Sequence, residues 1–107
     1  MTNENLKSQM RKGMLDFCVL LILRRGPAYA SELIETLKQA NMIVVEGTLY
    51  PLLTRLKNDG LLAYQWQESP SGPPRKYYII TPNGIAQLDR LSQSWNELAA
   101  TIEFLRR

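Results

Sequence analysis

Histidine is absent from this chain, and cysteine occurs once, at Cys18. Without histidine, the commonest general base and metal ligand is missing. A lone cysteine cannot close an intrachain disulfide, which fits a reducing cytoplasm. Cys18 lies in an apolar stretch with no evident activating partner, so it makes a poor nucleophile. No glycine-rich phosphate-cradling loop occurs either. An enzyme is therefore poorly supported, and neither a metal nor a cofactor is expected. Long apolar runs are also lacking. Val19–Leu23 ends at Arg24 and Arg25, far too short to span a bilayer, and polar or charged residues run through position 13, unlike a signal peptide. There are no internal repeats. Charge of one sign is scarce as well: the net charge is +3. That excess is compatible with a polyanionic partner without requiring one. Residues 1–60 carry eight Lys and Arg against six Asp and Glu, whereas residues 81–107 carry three of each. The basic excess thus lies ahead of the C-terminal segment.

What is present reads as one small α+β domain of 107 residues, mostly helical. The periodicity predicts a first helix over 6–24 that is apolar nearly all round, so it must be covered on two sides. One short protomer cannot easily do that, and a partner subunit is expected. A second helix is predicted over 31–40, with Leu33, Ile34 and Leu37 as its apolar stripe. A third covers 47–58, with Leu49, Leu52, Leu53 and Leu56 on one face and Thr48, Tyr50, Pro51, Thr54, Arg55 and Lys57 on the other. Pro51 is expected in its first turn, where a missing N–H is tolerated. Residues 61–67 and 75–80 read as two strands, and 69–74, containing Pro73 and Pro74, as the stiff polar turn between them. Tyr77 and Tyr78 must point to opposite faces, one into the core. Thr81 and Pro82 open a last helix as N-cap and first helical residue. From Leu88 the apolar spacings are 3, 4, 3, 4 and 3 through Leu91, Trp95, Leu98, Ile102 and Leu105. That is a heptad seam, the mark of a dimerisation helix.

Three helices followed by a hairpin make a winged helix-turn-helix pattern, expected over 1–80, with the dimerisation helix over 81–107 and the first helix also contributing to the dimer. In such folds the second helix of the motif enters the major groove of double-stranded DNA. Here that helix carries Thr48 and Tyr50 near its start, able to meet base or phosphate, and Arg55 two turns on, able to grip a phosphate or simply to sit solvated. The wing adds Arg75 and Lys76 at its base and Ser71 and Gly72 near its tip, suited to the sugar-phosphate backbone or an adjacent minor groove. A winged-helix module used only for protein–protein assembly is the alternative.

The stretch from Gly47 through Leu53 (Gly-Thr-Leu-Tyr-Pro-Leu-Leu), followed by Arg55-Leu56 and by Asp59-Gly60-Leu61-Leu62, closely resembles the signature of PadR-type transcriptional regulators. Trp66, the run Arg75-Lys76-Tyr77-Tyr78, and Thr81 followed by Gly84 extend the likeness over nearly the whole chain. The resemblance implies a two-fold homodimer on a roughly palindromic operator, and repression relieved by a signal. It is closest to the subgroup with a single C-terminal helix. In drug-sensing members of that family a small aromatic effector lies between paired tryptophans at the dimer interface. Trp95 matches that position, and Met10, Gly13, Asp16 and Phe17 match residues lining the cavity. Trp95 has two readings, a packed dimer core or a stacking platform for a flat ligand. Asp16 stands out as a carboxylate among apolar neighbours that needs solvent, a partner or a ligand cation; a pocket shared by Asp16 and Trp95 is the expectation. Three departures from the family pattern stand out: Ala30-Ser31-Glu32-Leu33 at the second helix, Pro73-Pro74 near the wing tip, and Lys57 in place of a glutamate.

Overall fold

Leucines spaced three and four apart organise the molecule in its computed structural model, which describes residues 2–11 and 13–107. The elements run α1 (Asn3–Arg11), α2 (Leu15–Arg25), β1 (Ala28–Tyr29), α3 (Ala30–Gln39), α4 (Glu46–Asn58), β2 (Leu62–Ser69), β3 (Gly72–Ile80) and α5 (Pro82–Leu105). Val19, Leu20 and Leu23 of α2, Leu33 of α3, all four leucines of the α4 stripe, Leu62, Tyr78 and Leu88 form one buried cluster. Burying a side chain of this size stabilises the fold by roughly 1.5–3 kcal/mol. The three-helix core is therefore held by α2, α3 and α4, with α5 docked through its first turns.

Two expected elements take a different form. The first helix is not continuous over 6–24. It is broken between α1 and α2, where Gly13 has φ +90° and the Met14 N–H donates to the Arg11 carbonyl at 2.8 Å. A positive φ is open to glycine and incompatible with a running right-handed helix; position 12 of that expected helix lies outside the described residues. Pro51 sits inside α4 rather than in its first turn, because the helix begins at Glu46. Its ring removes the N–H that would bond to the Gly47 carbonyl.

The sheet has the order β1-β3-β2, all antiparallel. β1 escaped the sequence reading because two residues carry no periodicity. Its pairing to Tyr77 and Tyr78 ties the entry of α3 to the wing. β3 starts at Gly72, so Pro73 and Pro74 belong to the strand and not to the turn. They are tolerated because β1 flanks β3 only at Tyr77–Tyr78, leaving the outer part of the strand with a free edge. Of the two adjacent tyrosines, Tyr78 is the buried one, while Tyr77 leans on Tyr29 with ring centroids 4.7 Å apart.

α5 opens as expected. The Thr81 hydroxyl accepts from the Gly84 N–H at 3.0 Å and donates to the Gly60 carbonyl at 2.6 Å. The seam then leaves the domain. Leu88 is buried and Leu91 half-buried, but Trp95, Leu98, Ile102 and Leu105 are between 48 and 70% exposed. Among the described residues no helix is long and apolar enough to cross a membrane.

Candidate nucleic-acid interface

α4 turns its leucines inward, so Thr48, Tyr50, Pro51, Thr54, Arg55 and Lys57 are left on the exposed side. Gly47 lies on this side too, and a Cβ placed there would meet nothing within 4 Å. A glycine in a helix costs about 1 kcal/mol relative to alanine. No packing within the chain requires it.

Beside α4 the wing rises. Arg75 and Lys76 stand midway along β3 rather than at the wing's base, with Ser71 and Gly72 at the exposed tip. Neither cation is left loose. The Arg75 guanidinium lies 4.0 Å from the centre of the Tyr29 ring. Lys76 Nζ sits 4.5 Å from the Tyr64 ring and 5.5 Å from that of Trp66. Lys57 Nζ approaches Tyr64 from α4 at 5.7 Å. Cation–π contacts of this kind hold charged heads over ring faces while leaving them accessible. Between α4 and the wing runs a groove of about 400 Å³, walled by Tyr50 and Glu46 on one side and by Trp66, Pro74, Arg75 and Lys76 on the other. Burial pushes the Tyr78 hydroxyl up from its ordinary pKa, helped by the neighbouring Tyr50 and Tyr64.

Arg55 lies apart from that groove. Its Nη2 donates to both carboxylate oxygens of Asp16, each at 2.9 Å. The partner that Asp16 requires is thus an arginine of α4, contributed from 39 residues away in sequence. The pair walls a second cleft of about 480 Å³, which Gly13, Leu15, Met42, Thr48 and Leu52 also line. Of the residues matched to a ligand cavity, Gly13 and Asp16 meet here. Phe17 packs against the core instead, Met10 is exposed on α1, and Trp95 is half-exposed on α5. Within one chain these five do not form a single site.

Both members of the ion pair see solvent, with Arg55 and Asp16 side chains 55% and 31% exposed. Asp16→Asn is therefore expected to lower the unfolding free energy by less than about 1 kcal/mol, read from urea denaturation. A loss of several kcal/mol would mean that the pair is a structural keystone between α2 and α4. Cys18 completes this region: its thiol lies 3.4 Å from the Met42 sulfur, and burial pushes its pKa up. A protonated thiol is a weak nucleophile. Among the described residues no group of acidic or cysteine side chains is placed to hold a metal ion.

The sequence reading placed Trp66 on a strand and in the family likeness but not in a binding site, and it missed Tyr29. Both line the groove. Strand alternation is the signal that could have found Trp66, because it sets Trp66 beside Lys76 across the ladder.

A model of the transcriptional regulator PadR-like family matches residues 19–90. The chain is similar to a PadR-like transcription factor from Bacteroides fragilis, with 60% identity over 94% of this chain and 98% of that one and a TM-score of 0.82. It is also similar to a PadR family transcriptional regulator from Eggerthella lenta, at 35% identity over 95% of this chain and 89% of that one, with a TM-score of 0.88. A shorter match, 42% identical over 55% of this chain and 54% of the other, is to the transcriptional regulator Rv3488 of Mycobacterium tuberculosis.

Proposed function

Because the chain belongs to the PadR-like family of transcriptional regulators, and so is a DNA-binding regulator rather than an enzyme, we propose that it works as a homodimeric repressor on a roughly palindromic operator. In this reading residues 1–80 are the reading head and residues 81–107 the dimerisation helix, acting in the cytoplasm. α4 enters the major groove with Gly47, Thr48, Tyr50 and Pro51 leading, and the wing lays Arg75 and Lys76 along the backbone, with Ser71 and Gly72 at its tip. A small planar ligand at the dimer interface, seated against Trp95 with Met10, Gly13, Asp16 and Phe17 nearby, releases the protein from DNA.

The observation that carries the DNA-binding surface is the groove between α4 and the wing. Its two cations are already laid over rings, and the helix beside it presents a glycine that nothing in the chain requires. Arg55 is assigned a phosphate contact through Nε and Nη1, for which the described residues provide no hydrogen-bond partner. The exposed seam of α5 supports the dimer, since four large apolar side chains at heptad spacing need a partner to cover them.

The reading is tested by salt. Binding to a duplex taken from the region flanking its own gene is expected to weaken steeply as salt rises, because phosphate contacts release counterions. Lys76→Ala should reduce the slope of log affinity against log salt by about 1 and weaken all sequences alike. Thr48→Ala should instead change which sequences are preferred. Protein with no salt-sensitive binding to that duplex or to bulk DNA would be an assembly module.

A further inference from the structure

Trp66 is 63% exposed, although it stands on the same sheet face as the buried Leu62 and Tyr78. That face covers the core near the base of the wing and continues past it. Trp66 and Lys76 are directly paired across the ladder, so they emerge side by side where the core ends. The indole is held in place. It meets Tyr64 edge-on, at 5.8 Å between centroids and 85° between planes. Lys76 lies against it, and it shares a shallow hollow with Pro73, Pro74 and Glu68. A large, fixed, uncovered ring beside a fixed cation is a surface prepared for a partner.

The chemistry of the groove identifies that partner. It presents two cations, Arg75 and Lys76, against one carboxylate, Glu46, while Glu68 lies in the adjoining hollow. Its apolar area is aromatic and lies next to the cations rather than apart from them. A nucleic-acid strand alternates in the same way, with an apolar deoxyribose between successive phosphates. An acidic peptide would be matched by the cations but offers no such alternation.

We propose that Trp66 is a DNA-contact residue whose indole packs on a deoxyribose of the strand running between α4 and the wing, with Lys76 on the adjoining phosphate. The contact rests on the DNA-binding reading above and adds a residue that reads shape rather than sequence. Sugar and phosphate are common to every sequence, so sheared duplex DNA is a sufficient probe. Pro73 and Pro74, which share that hollow with the indole, then become the stiff flank that holds the ring in place.

Protein labelled with 5-fluorotryptophan gives two fluorine resonances, which Trp66→Phe assigns while leaving Trp95 untouched. Addition of sheared duplex is expected to shift the Trp66 resonance at the DNA concentrations that saturate an anisotropy titration. Trp66→Ala is expected to weaken binding about ten-fold, as for loss of one aromatic contact to nucleic acid, with Trp66→Phe recovering part of the loss. The thermal midpoint of each variant shows that the wing is still folded. Salt-sensitive binding with an unmoved Trp66 resonance and an unchanged Trp66→Ala affinity overturns the inference and leaves the DNA-binding reading intact. A Trp66 resonance that moves with protein concentration, and not with DNA, assigns the ring to a second copy of the chain and also overturns it. Absence of any salt-sensitive binding removes the DNA-binding reading itself.

Discussion

Gly84→Ala is expected to lower the unfolding free energy by about 2–4 kcal/mol, far more than a single methyl group usually costs. Gly84 is buried in the first turn of α5. A Cβ there would collide with the carbonyl oxygen of Leu61 and would press on Cγ1 of Ile80 at 2.6 Å. The first obstacle is backbone, and that backbone is fixed. The Leu61 carbonyl already accepts from the Thr81 N–H at 3.1 Å, and Thr81 bonds to Gly60. Relief therefore requires α5 to lift from the loop after α4, which also disturbs Leu88 and the core beneath it. Urea unfolding with an unchanged m-value measures the loss. Gly47→Ala is the counterpart: its Cβ meets nothing, so stability should stay level or rise by up to about 1 kcal/mol. If Gly84→Ala unfolds at the same urea concentration as the parent, the close approach of α5 is not what holds this corner.

The second large effect concerns assembly. Replacing both Leu98 and Ile102 with aspartate is expected to convert the protein to a monomer, seen by sedimentation equilibrium. These side chains are 60 and 53% exposed, and neither contributes to the buried cluster of its own chain. Monomer stability should therefore change little, while four carboxylates face one another in the dimer and exclude it. Operator affinity should then fall by about 100-fold or more, because binding two half-sites through one rigid body gains about 10²–10⁴ over either half alone. A double variant that stays dimeric would move the interface to α1 and α2, where Leu6, Met10 and Leu21 are also exposed.

Much of this molecule was legible before its structure. The α4 stripe, the cap at Thr81 and the departure of the α5 seam from the domain all follow from spacing, because helical periodicity and capping are local. The miscounts have local causes too. Gly13 fell inside a helix expected to run unbroken over 6–24, yet its positive φ ends one. Pro51 was counted from the wrong first residue, since nothing in the side chain of Val45 marks the cap. The Asp16–Arg55 pair was out of reach for a different reason. The need for a partner was visible in one carboxylate among apolar neighbours, but the partner lies on another helix, and only tertiary packing brings them to 2.9 Å. The groove is of the same kind: Tyr29, Tyr50 and Trp66 come from three elements, and no linear motif joins them.

α5 has one further consequence, which is mechanical. Its first turns are bolted to the core by Gly84 and Leu88, and its last turns carry the exposed seam, with neither glycine nor proline after position 84 to act as a joint. A helix of this kind is a lever. At 24 residues it is about 36 Å long, close to the spacing of two half-sites one helical turn apart. A tilt of about 10° at one end sweeps the other through about 6 Å, nearly two base-pair steps along the duplex. In the proposed dimer, control over operator spacing would therefore reside in the angle at which two such rods cross, and the side chains at that crossing would govern a distance they never touch.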